Sequence, residues 1–136
     1  MSVTAPINIT KIDHIQMDVG NLEENIEFYR KVFNFEIKEM GVRATTRWAI
    51  IGNSAKIYLC MHENEEATDK PVEGLRITHF GLIVEDFDSV IDRLKAFNVP
   101  LFYDDFVEYH SSRSVYFKDP NGYKIEISEF VGGNIE

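Results

Sequence analysis

The chain has 136 residues, 44% of them hydrophobic, with 10 Phe and 6 Tyr, enough to fill the core of one domain. Its 23 acidic residues outnumber 14 basic ones, for a net charge of −9, and no Lys/Arg cluster offers the counterion exchange that nucleic-acid binding needs. A lone cysteine, Cys60, excludes an intramolecular disulfide and fits a reducing cytoplasm; no signal peptide and no bilayer-spanning apolar run is expected.

Residues 1–8 read as a frayed end. Ile12 to Val19 follows as a strand of apolar and β-branched residues. Alternation puts Ile12, His14, Gln16 and Asp18 on one face, and Ile15, Met17 and Val19 on the other, which suits packing against a helix. Asn21 opens that helix, with Glu24 three residues on as a capping box requires. Leu22, Ile26, Tyr29 and Phe33 keep helical spacing and form its buried stripe. Three strands are expected next, near 35–42, 45–51 and 56–62. The acidic segment 63–74, with Pro71 and Gly74, reads as an exposed joining loop.

The pattern then starts again. Lys11-Ile12-Asp13-His14-Ile15 matches Arg76-Ile77-Thr78-His79-Phe80 at a spacing of 65 residues. Lys56-Ile57-Tyr58-Leu59 matches Lys124-Ile125-Glu126-Ile127 at a spacing of 68. Asp86 is the expected cap of the second helix, Val90, Ile91, Leu94 and Phe97 are its stripe, and Asn98-Val99-Pro100 ends it. Strands are expected near 101–104, 114–118 and 124–130, the last two joined by the turn Asp119-Pro120-Asn121-Gly122. Residues 132–136 read as frayed. The fold class is therefore α+β: one domain over 1–136 made of two tandem βαβββ modules, 9–63 and 75–130. Their mixed sheet curves into a cup with the helices outside.

His14, His79 and Glu126 all fall on the strand face opposite the apolar set. Charged and imidazole groups lining a cup are costly unless they are paired, hydrogen-bonded or bound to a metal. A single strand histidine usually packs or hydrogen-bonds. Two histidines at one position of a duplicated unit, with a glutamate on a third strand, favour a metal instead. Imidazole and carboxylate suit Fe, Mn, Zn, Ni or Co, and two His with one carboxylate is a non-haem Fe(II) pattern. His62 reads as a cup residue or as a solvated strand end. Trp48 and Tyr116 stack on a substrate or simply pack; Lys124 tunes Glu126 or is solvated; Cys60 reads as a small buried side chain.

The order of these residues, with the terminal motif Val115-Tyr116-Phe117-Lys118-Asp119-Pro120-Asn121-Gly122-Tyr123-Lys124-Ile125-Glu126, resembles the vicinal oxygen chelate superfamily. That superfamily includes glyoxalase (lactoylglutathione lyase), fosfomycin resistance proteins, bleomycin resistance proteins, methylmalonyl-CoA epimerase and extradiol dioxygenases. The resemblance runs from Ile9 to about Phe130. It implies a cup around one divalent metal, to which adjacent oxygens of a small substrate bind. Lyase and epimerase branches add a glutamate at the end of the fourth strand, and the repeat places Tyr58 there. A neutral phenol is a poor ligand near neutral pH, so the expected set is three: His14, His79 and Glu126.

Ser114-Val115-Tyr116-Phe117 and Ile57-Tyr58-Leu59-Cys60 resemble fosfomycin resistance proteins in particular. The 106–114 stretch supplies only Arg113 and no lysine, so the phosphonate is not assigned as substrate. The expected pocket residues are Tyr58, Tyr116, Trp48 and Ser114, with His110 joining Tyr116 as second-sphere partner if the protein is a dioxygenase. Short members that resemble this chain dimerise, which implies a homodimer with His14 lying across the interface from His79 and Glu126. The expected function is a metal-dependent enzyme of lyase, isomerase or transferase type acting on a small oxygen-rich molecule. The alternatives are an Fe(II) ring-cleaving extradiol dioxygenase and a metal-free small-molecule binding or resistance protein. Neither nucleic acid nor membrane is an expected partner.

Overall fold

The computed structural model describes residues 5–66 and 74–130. Most of the expected joining loop, residues 1–4 of the expected N-terminal frayed end and all of the C-terminal one lie outside the described residues. The order of elements is β1 (Ile15–Val19), α1 (Leu22–Phe33), β2 (Glu36–Arg43), β3 (Thr46–Gly52), β4 (Tyr58–Glu63), β5 (Phe80–Ile83), α2 (Val90–Ala96), β6 (Val107–Tyr109), β7 (Ser112–Lys118) and β8 (Lys124–Ser128). The strands form two four-stranded mixed sheets, ordered β1-β4-β3-β2 and β5-β8-β7-β6. In each, the first strand pairs parallel with the last and the other pairings are antiparallel. The expected α+β class and two βαβββ modules are what the chain forms.

The first helix begins as its sequence dictates. Asn21 is extended, and its side chain accepts from Glu24 N at 2.8 Å. Glu63, at the end of β4, takes a second free helix donor, Leu22 N, at 2.9 Å. The helix ends where Asn34 adopts φ 59°, a left-handed stop that asparagine tolerates. Its buried stripe is Leu22, Phe28, Tyr29 and Val32 with Asn25, while the expected Ile26 and Phe33 are only partly buried.

Three expectations need correction. Ile12–His14 are not in β1, because β4 starts at Tyr58 and its pairing with β1 begins at Ile15–Leu59. Asp86 does not cap a helix: it makes no side-chain cap bond, and a 3-10 turn over Phe87–Ser89, burying Phe87, leads into a seven-residue α2. Segment 101–104 is not a strand. Tyr103 and Asp104 both have positive φ, 62° and 66°, which turns the chain, and only Leu101 makes a single bridge, to Phe117. The strand forms later, as β6.

The apolar faces of both sheets share one core with α1. Met17, Val19, Ala49, Ile51, Leu59 and Met61 supply it from the first sheet, and Val115, Phe117, Ile125 and Ile127 from the second. Phe33 meets Phe117 with ring centroids 6.0 Å apart, so the helix of the first module also packs on the second. A polar latch fixes this packing. Tyr29 Oη donates to Asp119 Oδ2 at 2.7 Å, Gly20 N donates to Asn121 Oδ1 at 3.1 Å, and Tyr123 Oη donates to the Asp18 carbonyl at 2.9 Å. Burial pushes the Asp119 carboxyl up, against the hydrogen bonds it receives from Tyr29, Asn121 and Tyr123. The Asp-Pro-Asn-Gly turn is thus the clasp between modules as well as the link between β7 and β8.

Candidate functional site

With the apolar faces used by the core, the opposite face of each sheet is left for chemistry. On the second sheet that face is compact and polar. His79, just ahead of β5, places Nε2 3.0 Å from Glu126 Oε1 on β8. Thr78 Oγ1 lies 3.0 Å from the other ring nitrogen. Ser128 Oγ donates to Glu126 Oε2 at 3.0 Å and lies 2.7 Å from Ser114 Oγ. Burial works to raise the Glu126 carboxyl, but hydrogen bonds from Ser114, Ser128, His79 and Tyr116 outweigh it and hold the group below the usual carboxylate range. Glu126 is therefore an anion throughout the neutral and weakly acidic range.

Tyr116 stands directly across from Glu126 in the β7–β8 ladder. Its ring meets His79 edge-on at 6.0 Å, and its hydroxyl is 2.6 Å from that of Tyr109. Burial, then the Tyr109 and Glu126 contacts, push its pKa well above that of an ordinary phenol, so it stays neutral and can donate a hydrogen bond. Tyr103, held in its left-handed turn, closes the wall at 5.8 Å from Tyr116.

The first sheet presents a different face. Gln16, Tyr58, Cys60, His62, Trp48 and Ile50 line it, and none is fully buried. His14 lies just ahead of β1, its side chain 46% exposed, with Nδ1 2.7 Å from Asp13 Oδ2. Among the described residues Nε2 has no hydrogen-bond partner, and a carboxylate on Nδ1 is how an imidazole that ligates through Nε2 is commonly oriented. Burial pushes the Cys60 thiol up, which keeps it protonated. The Tyr58 ring lies over Gly52, where an added Cβ would come within 2.5 Å of Tyr58 Cδ1.

The sequence-based candidates therefore divide. His79, Glu126, Tyr116 and Ser114 come together on the second sheet. His14, Trp48 and Tyr58 lie on the first, and no group of three or more His, Cys, Asp or Glu among the described residues gathers around one point. His110 sits in the exposed β6–β7 turn, apart from the His79–Glu126 network. Thr78, Tyr103 and Tyr109 were not among the candidates. Ser128 was legible only through sharing a strand face with Glu126.

The ladders also correct the internal alignment. Gln16 pairs with Cys60 in the first sheet, and Gly81, the residue 65 later, pairs with Glu126 in the second. Cys60, not Tyr58, thus occupies the place of Glu126. Tyr58 matches Lys124, because Tyr58 pairs with Gly52 as Lys124 pairs with Lys118. The match of 56–59 to 124–127 was off by two residues, which preserves strand parity and so hides the slip.

The donor set fits a divalent cation. An imidazole nitrogen and an ionised carboxylate at hydrogen-bond distance share a proton; a cation that displaces it meets two lone pairs already aimed at one point.

Known proteins agree with this architecture. Residues 11–127 match the model of the Glyoxalase/Bleomycin resistance protein/Dioxygenase superfamily. Metallothiol transferase FosB of Staphylococcus epidermidis is 27% identical over 89% of this chain and 82% of that protein. FosB of Lysinibacillus sphaericus is 24% identical over 88% and 82%. Among solved structures, a glyoxylase/bleomycin resistance protein/dioxygenase domain from Frankia superposes with a TM-score of 0.77 at 15% identity, covering 89% of this chain and 98% of that one. The fosfomycin resistance protein FosX of Listeria monocytogenes, complexed with Mn(II) and sulfate, superposes at 0.70 and 19% identity, covering 91% and 95%. The chain belongs to the Glyoxalase/Bleomycin resistance protein/Dioxygenase superfamily, within the vicinal oxygen chelate group that its terminal motif resembles.

Proposed function

We propose that the protein is a divalent-metal-dependent enzyme acting on a small oxygen-rich molecule, built as a homodimer whose sites each take His14 from one copy and His79 and Glu126 from the other. The observation that carries this reading is the His79–Glu126 pair at 3.0 Å, backed by Ser128 and Thr78, while the third donor lies on the other sheet of the chain. Among the described residues β1 and β5 are each paired on one side only, so each leaves an open edge beside a candidate ligand. Ile12 and Ile77, at the same place in the two modules, are 77% and 92% exposed. A second copy would cover both edges and both isoleucines.

Bound there, a divalent metal supplies Lewis-acid polarisation of substrate oxygens and a template for them. The chain's own residues do the rest. Glu126 stays charged, Asp13 orients His14, and Tyr116 offers a neutral hydroxyl as donor. Trp48 and Tyr58 form the less polar wall. The relatives' name, metallothiol transferase, favours group transfer over lyase or isomerase chemistry.

Subunit mixing tests the composite site. Homodimers of His14→Ala and of Glu126→Ala should each bind no Mn(II) at equimolar protein. Their heterodimer, purified through two different tags, should bind one ion, because one site keeps all three donors. A metal-free heterodimer, or a chain that sediments only as a monomer at micromolar concentration, would overturn the proposal.

A further inference from the structure

Beside this site two lysines stand opposite each other with no ion-pair partner among the described residues. Lys118 on β7 and Lys124 on β8 are directly paired across the ladder. Like charges in that position repel, so such a pair is normally broken up or bridged by an acid. Among the described residues neither ammonium lies within ion-pair reach of a carboxylate. Both instead sit over one ring: Lys118 Nζ is 6.0 Å and Lys124 Nζ 5.3 Å from the centre of Phe102. Lys124 Nζ is also 5.0 Å from the centre of Tyr116, whose other neighbour is His79.

The first module shows that the fold does not require cations here. Its matching pair is Gly52 and Tyr58, both neutral. The local charge also runs against the whole: in a chain of net charge −9, this is a positive spot at the lip of a site whose own ligand is an anion. Contact with aromatic faces favours an ammonium modestly but does not neutralise it. Two like charges on directly paired residues of neighbouring strands, both near one aromatic ring and with no carboxylate in ion-pair reach among the described residues, fit an anion that arrives from outside.

We infer that Lys118 and Lys124, on the Phe102–Tyr116 wall, form a subsite for an oxyanion group of the substrate, orienting it beside the His79–Glu126 centre. The inference rests on the proposed function for its link to catalysis, but the subsite itself is testable without metal or turnover. Full-length protein stripped with a chelator would be titrated with inorganic phosphate, and separately with acetate, by calorimetry. Lys124→Met should weaken phosphate binding about tenfold, the loss of one charged hydrogen-bond donor. The Lys118→Met, Lys124→Met double variant should abolish it, Lys124→Arg should restore most of it, and Lys95→Met, remote on α2, should change nothing. Parallel behaviour of acetate extends the subsite to carboxylates; acetate binding indifferent to the lysines restricts it to phosphate-type groups.

Urea midpoints would check that each variant is folded, and Lys124→Arg separates lost charge from lost packing. Phosphate that does not bind the wild type, binds the double variant equally well, or is weakened as much by Lys95→Met would overturn the subsite. Repeating the titration with Mn(II) separates the two readings. Lysine-dependent phosphate binding in a protein that takes up no metal would sink the metal centre and leave the subsite. Metal uptake with phosphate binding blind to the lysines would do the reverse.

Discussion

The inner faces of the two modules share one backbone register and almost no chemistry. Position for position, the second sheet has Glu126 where the first has Cys60, Ser128 where it has His62, Tyr116 where it has Ile50, and Ser114 where it has Trp48. The second face holds a charge and surrounds it with donors. The first has no comparable carboxylate network; His62 lies on it, and His14 stands just before its leading strand. The difference teaches that duplication preserved what the core needs and released what it does not. The outward alternation, Met17, Val19, Leu59 and Met61 against Ile125, Ile127, Val115 and Phe117, is kept apolar in both modules because both pack on the same core. The inner face carries no such constraint. One half specialised in holding charge and the other in shaping the space opposite.

The strongest way to break this comparison is to remove the anion and its positional twin. Glu126→Gln should lower Mn(II) affinity by at least about a hundredfold, beyond what the loss of an outer-shell partner costs. Cys60→Ala, at the matching position, should leave affinity within about twofold, since a thiol kept protonated is no ligand. Calorimetric titration of the protein reads both. If Cys60→Ala releases the metal, both modules supply an anionic ligand and the asymmetry disappears.

A second pair of variants sharpens the comparison through sterics. Gly52 and Gly81 both lie on inner faces. An added Cβ at Gly52 would meet Tyr58 Cδ1 at 2.5 Å and the Ile57 carbonyl at 2.8 Å, whereas at Gly81 the nearest heavy atom is 4.0 Å away. The tyrosine ring can rotate aside but the backbone carbonyl cannot. Gly52→Ala should therefore cost about 1–3 kcal/mol by urea unfolding, the range for overpacking. Gly81→Ala should stay within about 0.5 kcal/mol of wild type. Equal costs would mean that the first face is not built around its tyrosine.

How much of this was legible in the sequence follows from the same asymmetry. The duplication, strand parity and core stripes were readable, because burial imposes periods of 2 and 3.6 residues on any chain that folds this way. Strand parity singled out His14, His79 and Glu126, while Tyr116 and Ser114 entered through the family resemblance; the structure brings His79, Glu126, Tyr116 and Ser114 onto one face and leaves His14 beside the other sheet. The assignment of Tyr58 as the twin of Glu126 failed for a physical reason: a slip of two residues changes no side chain's face, so only hydrogen-bond register reveals it. Strand 101–104 failed because two consecutive non-glycine residues with positive φ, Tyr103 and Asp104, carry no strong turn signature. His14 and His79 share a place in the repeat but lie beside different sheets of the chain, a separation that no local pattern encodes.

The two helix starts give the smallest effect and the finest test. Both were readable as capped, by Asn21 and by Asp86. Only Asn21 has the extended backbone of a cap and bonds to Glu24 N at 2.8 Å; Asp86 makes no such bond, and a 3-10 turn intervenes before α2. Asn21→Ala should cost about 1 kcal/mol, the usual value for losing a side-chain cap. Asp86→Ala should cost a few tenths of that at most, since an exposed side chain away from any cap or pair changes stability little. Urea midpoints measured side by side resolve the two. Equal losses would show that Asp86 caps its helix in solution after all. The two helices would then begin alike, and the shorter second helix and its 3-10 lead-in would have to be explained by something other than a missing cap.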